Sequence, residues 1–152
     1  MSTFYSGQNG RMLIGTDTAA KVTNWSINST QSPLDCTTLE QEDQTYINGL
    51  RNTTGSCRLF YYDYTVGNTA KNDAKTLIDC IMKARSSSGD AGNAPVPTTV
   101  TLELQIVDGT ATPKVVKVEA LVTSASMAMS VGEVLAADIA FQVNGAPITV
   151  TL

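Results

Sequence analysis

The clearest pattern in the chain is alternation of apolar and polar residues, and it is concentrated in the second half. Over 99–107, Val100, Leu102, Leu104 and Ile106 alternate with Thr99, Thr101, Glu103 and Gln105. Over 115–129, Val116, Val118, Ala120 and Val122 face one way, and Lys117, Glu119, Leu121 and Thr123 the other. Over 134–143, Ile139, Phe141 and Val143 oppose Asp138, Ala140 and Gln142. A period of two places alternate side chains on opposite faces of a strand, so each segment predicts a half-buried β-strand. Asp108-Gly109 and Asn144-Gly145 read as hairpin turns, Val131-Gly132-Glu133 as a further turn, and 148–152 as a closing strand.

The first half is less regular. Residues 11–15 suit a short strand, and Trp25 and Ile27 alternate with Asn24, Ser26 and Asn28. Leu59, Phe60, Tyr61, Tyr62 and Tyr64 make 54–64 a second β-favouring run. Residues 68–86 read as one helix: Ala70, Ala74, Leu77, Ile78, Ile81 and Met82 recur on one stripe. Asn68 or Thr69 would cap it, and Lys83 and Arg85 would complement its C-terminal end. Residues 86–97 are a breaker-rich loop.

Between the two early strands, 31–53 reads as a long polar loop. Loops beyond roughly 12–15 residues in a small domain are usually functional or disordered. Leu34, Leu39, Tyr46, Ile47 and Leu50 give this one apolar anchors to bury. That combination predicts a partner surface rather than a reaction centre.

The expected fold is therefore mainly β with one α-helix, a small sandwich or partial barrel in a single domain over 1–152. With 152 residues, 42% of them hydrophobic, the chain can bury a working core. No apolar run approaches the ~18 residues needed to span a bilayer, and no secretory signal stands at the N-terminus.

Candidate chemistry is sparse. Histidine is absent, which removes the commonest general base and every Ser-His or Cys-His nucleophile system. Cys36, Cys57 and Cys80 lack metal-ligand spacing and read as small, mostly buried thiols. A Cys36–Cys57 disulfide is the sharper alternative. Glu40, Glu42 and Asp43 lack the pattern of a calcium loop and suit a solvated loop or a subunit contact. Asp35 and Asp63 could pair as acid and base, although Asp35 beside Thr37 and Thr38 better fits a turn cap. Tyr61, Tyr62 and Tyr64 suit core or interface more than base stacking, and Met127 and Met129 suit core or a subunit contact. No catalytic set, metal site or cofactor is predicted. The net charge of −4, with scattered cations, argues against tight nucleic-acid binding.

One block of residues resembles a known family. Trp25-Ser26-Ile27, then Leu34-Asp35, Thr37-Thr38-Leu39, Asp43, Gly49-Leu50-Arg51, Thr54-Gly55-Ser56 and a Leu-Phe-Tyr-Tyr strand follow in order. This series is similar to that of the tail tube, or major tail, proteins of long-tailed bacteriophages with non-contractile tails. The resemblance implies a tail-tube-type β-sandwich or partial barrel flanked by a helix, forming hexameric rings that stack into a hollow tube. DNA would meet the protein only in transit through the lumen. Further partners would be the tape measure, tail terminator and distal tail or baseplate proteins. The place would be the virion tail, after assembly in the host bacterial cytoplasm. Residues 31–53 would contact the adjacent ring through Leu34, Asp35, Leu39, Tyr46, Ile47, Gly49 and Leu50, with Gly49 and Gly55 permitting turns. Glu103, Gln105, Glu119, Asp138 and Gln142 would face the lumen and repel phosphate, with Lys117 as an exception. The alternative is a small virion decoration or binding module.

Overall fold

The computed structural model describes residues 4–15, 17–19, 22–40, 42–82 and 99–152. Among these residues, ten strands and one helix follow a 3-10 turn at Gly7–Asn9. They are β1 Gly10–Ile14, β2 Asp17–Ala19, β3 Val22–Asp35, β4 Tyr46–Phe60, β5 Tyr64–Val66, β6 Thr69–Lys71, α1 Asp73–Ile78, β7 Val100–Ile106, β8 Lys114–Ala128, β9 Ala136–Val143 and β10 Thr149–Thr151. Eight strands form one antiparallel sheet in the order β2-β1-β7-β8-β9-β4-β3, with β10 also on β8. The small β5-β6 hairpin stands apart.

The alternation seen in the sequence sets the two faces of this sheet. Met12, Leu102, Leu104, Val118, Ala120, Ile139, Phe141, Cys57 and Leu59 all turn to one side and are buried. The sheet curls over that side until β1 meets β3, where the indole of Trp25 lies within van der Waals reach of a β-carbon built on Gly10. The result is a partial barrel. Helix α1 packs against β4, β8 and β9 and adds Ala74, Leu77 and Ile78 to the core. Leu77 and Ile78 each contribute roughly 1.5–3 kcal/mol on full burial.

Several sequence expectations change. Residues 31–53 are not a loop. β3 and β4 pair continuously from Val22↔Leu59 to Asp35↔Tyr46, so most of that stretch is a two-stranded arm with a tip at 36–45. The helix is shorter than 68–86. Thr69–Lys71 is strand, and Gly67, with φ of 63°, and Asn68 form the β5-β6 turn. The N-cap is Asn72, not Asn68 or Thr69, and its side chain accepts from the Lys75 amide at 3.0 Å. Ile81 and Met82 are exposed rather than part of a buried stripe. The readings of Lys83, Arg85 and the loop 86–97 lie outside the described residues.

Asp108-Gly109 sits in a wider connection over 107–113, not a two-residue turn. Asn144-Gly145 does not make a hairpin. β10 pairs with β8 through Thr149↔Lys117, on the line that β9 leaves at Val143↔Ala120. The chain therefore detours over 144–148 and continues in the same direction.

Candidate functional site: an arm and a polar sheet face

The arm owes its form to one irregularity. Between Gln31↔Arg51 and Pro33↔Asn48, β3 advances two residues while β4 advances three. This bulge places Gly49 and Leu50 together opposite Ser32. Glycine is required by close approach, not by a turn: a β-carbon at Gly49 would lie 2.1 Å from the Ser32 carbonyl oxygen. Beyond the bulge Leu34 pairs with Ile47. Ile47 and Leu50, three apart, thus share a face with Leu34, where an unbroken strand would have opposed them.

All five sequence-predicted anchors, Leu34, Leu39, Tyr46, Ile47 and Leu50, are exposed in the single chain. Asp35 closes the arm at the base of the tip. Its carboxylate accepts from the Thr37 hydroxyl and from the Thr37 amide at 2.8 Å. These two bonds, the hydroxyl first, hold its pKa below the ordinary range. It is a turn cap, and it is not near Asp63, which follows the opposite end of β4 and accepts from the Asn72 side chain. Glu40, Glu42 and Asp43 are exposed at the tip. Among the described residues no three Asp, Glu or Cys side chains converge as a metal site.

The second surface is the sheet face opposite the core. Register places Glu103, Gln105, Glu119, Asp138 and Gln142 on that one face. The same register adds three cations. Arg11 lies opposite Gln105, Lys117 opposite Glu103, and Arg58 opposite Asp138. The expected acidic wall is therefore charge-balanced, with Arg11, Lys117 and Arg58 against Glu103, Glu119 and Asp138. Alternation from Met12 and Cys57 would have placed Arg11 and Arg58 there, had it been followed across every strand.

The polar side chains on this face hold one another. Arg11 Nε donates to Gln105 Oε1 at 2.8 Å, and Gln105 donates to Glu103. Gln105 is consequently buried, a departure from the exposed position expected of it. Thr99 donates to Glu119 at 2.7 Å, Gln142 donates to Asn52 at 3.0 Å, and Arg58 stands 3.7 Å from Asp138. The Arg58 pair is exposed and adds little stability, but it sets how the face meets a charged neighbour.

Remaining candidates have structural roles. Tyr62 and Tyr64 stack at 5.5 Å and both donate to Asp73 in the first turn of α1. Cys36, Cys57 and Cys80 form no disulfide with one another. Cys36 is exposed at the arm tip, contrary to the buried reading, and is far from Cys57, which lies opposite Trp25. About eleven residues of strand separate their levels, roughly 35 Å at ~3.3 Å per residue, beyond any disulfide. Met127 and Met129 are exposed and so are not core.

This fold, a long hairpin arm on a curled sheet with a helix over the barrel, superposes on chains of solved assemblies. A chain of the SPP1 tail tube superposes with a TM-score of 0.66 at 11% identity, covering 98% of this chain and 80% of that one. A chain from the tail of an empty gene transfer agent particle, solved by helical refinement with C6 symmetry, gives 0.63 at 17% identity, covering 98% and 100%. A chain of the PVC extracellular contractile injection system, in its extended sheath-tube complex, gives 0.65 at 10% identity, covering 98% and 93%. The chain has the tail tube fold. No family model and no curated protein matches its sequence, so the likeness lives in the architecture. The tail tube fold spans nearly the whole chain, arm and helix included.

Proposed function

We propose that this chain is a structural, non-catalytic subunit of a hollow tail tube, in which hexameric rings of the chain stack and DNA passes through the lumen. The observation that carries this reading is the arm. Leu34, Ile47 and Leu50 lie on one face of a two-stranded extension and are exposed there, Leu50 almost fully. Isolated hairpins are marginal in water, and exposed apolar side chains on one need a surface. A neighbouring ring supplies that surface. The polar face of the sheet is then the lumen wall. Its cations stand against carboxylates or a glutamine, so passing phosphates meet no concentrated positive charge to bind.

In this reading the chain also meets tape measure, terminator and distal tail or baseplate proteins at the tube ends, within the virion tail. Six-fold rings and DNA transit are the finer parts of the proposal. The six-fold ring draws support from the C6 symmetry of the similar gene transfer agent tail.

The deciding experiment is negative-stain electron microscopy of the purified chain. Hollow rings or tubes are expected, and they should vanish when Leu34, Ile47 and Leu50 are all changed to serine. Discrete small particles at every concentration, from a folded chain, would overturn the reading in favour of a decoration or binding module.

A further inference from the structure

The arm and the β8-β9 turn leave the sheet in opposite directions. Tyr46 begins β4 at the arm tip, opposite Asp35, while Phe60 ends it beside Ala136, itself opposite Ala128. The turn over 129–135 thus sits at the end of the sheet farthest from the arm. That turn is apolar and uncovered, with Met129 79%, Val131 106% and Val134 70% exposed. Its one ionisable side chain is Glu133, which accepts from the Ser130 hydroxyl at 2.9 Å.

The root of the arm carries the opposite charge. Leu50 is 92% exposed, and Arg51 beside it is the only cation from 28 to 53. We infer that the 129–135 turn is the seat for the arm of a second copy. Leu50 and Ile47 of one copy pack on Met129, Val131 and Val134 of the next, and the long side chain of Arg51, on the other face of β4, reaches round its free edge to Glu133. This deepens the tube reading and rests on it.

Geometry favours a second copy of this chain as the occupant. The two surfaces lie at opposite ends of the sheet, so copies in one orientation can stack head to tail through them. A head-to-tail contact repeated along the strand direction grows without closing. Reach agrees as well. Residues 46–53 lie beyond the last β4 partner on β9, Thr54↔Gln142, and at ~3.3 Å per residue they extend roughly 26 Å. The root can therefore meet the near end of the neighbour while the tip runs along its flank.

The test uses the full chain, with sedimentation velocity for the critical assembly concentration and electron microscopy for tube length. Val131→Asp should raise the critical concentration about tenfold or more, the effect of losing ~1.4 kcal/mol per contact. Its melting should match the parent, because Val131 is exposed. Arg51→Glu and Glu133→Arg should each raise the critical concentration about two- to fivefold, in line with exposed ion pairs. The double variant should return to within about twofold of the parent. Tubes that form normally with Val131→Asp, or a double variant no better than the singles, would overturn this seat and leave the tube reading standing. A parent chain that never assembles would overturn both.

Discussion

Gly55 lies beneath the ring of Phe141. A β-carbon at Gly55 would fall 2.4 Å from Phe141 Cζ and 2.6 Å from the Ser26 carbonyl oxygen. The ring fills the space a side chain would take, and the β3 backbone closes it from the other side. Gly55→Ala must displace one or the other, with an overpacking cost of about 1–3 kcal/mol. Equilibrium urea unfolding should show that loss, and Gly55→Ala with Phe141→Leu should recover part of it. A Gly55→Ala variant as stable as the parent would mean that the ring does not rest there.

Asp73 ties two segments together. It accepts from Tyr62 and Tyr64, each at 3.0 Å, and sits at the positive end of α1. Asp73→Ala removes acceptors from two part-buried hydroxyls and should cost about 1–3 kcal/mol. Asp73→Asn keeps one acceptor oxygen and should cost less. Thermal unfolding followed by tyrosine fluorescence reads both, and equal melting of all three chains would refute the role.

Cys57 is buried, and burial first, then the charge of Asp138, pushes its pKa up to about 12 from 9.0. The fold favours the neutral thiol. Its contribution is therefore fully present below pH 9 and is lost as pH rises from there toward 12. Cys57→Ala should flatten the alkaline loss of stability. A maleimide at neutral pH should label exposed Cys36 and spare Cys57 until the chain unfolds, which mass spectrometry of peptides would settle.

Gly49 offers a test that takes assembly apart from stability. Gly49→Val places side-chain atoms against the Ser32 carbonyl and distorts the arm where no core residue is touched. Unfolding of the barrel should shift little, because no core residue is displaced, while tube formation fails. A large drop in melting would show that the arm is part of the folding unit.

The polar face offers a separate test. Asp138→Lys leaves Arg58 facing a second cation and converts a neutral patch into a positive one. If that face lines a lumen, tubes should still form, and DNA should pass more slowly, with the delay fading as salt rises. Unchanged passage at low salt would remove this face from the lumen.

How much of this was legible in the sequence depended on whether a segment faces the core. β7, β8 and β9 lie over the barrel interior, so their apolar residues recur every second position, and the same rhythm set Glu103, Glu119, Asp138 and Gln142 on the opposite face. The outer halves of β3 and β4 face no core. Asn28-Ser29-Thr30-Gln31 and Asn48-Gly49-Leu50-Arg51 carry no alternation, and a paired arm looked like a loop. The anchors were legible as apolar residues in a polar setting. Their common face was not, because it depends on an unpaired extra residue. Asn144-Gly145 misled for another reason: a turn dipeptide reports local curvature, and strand β8 decides where the chain goes next.

The bulge at Gly49 and Leu50 has a bearing on how such chains diverge. Deleting Gly49 would remove the bulge and keep Leu34 opposite Ile47, with Ile47 and Leu50 then two apart and still on one face. Every pairing inside the barrel would survive. The bulge thus absorbs a change of chain length without turning the apolar face over, so a one-codon difference can persist at this point that would elsewhere in the arm reverse which side docks.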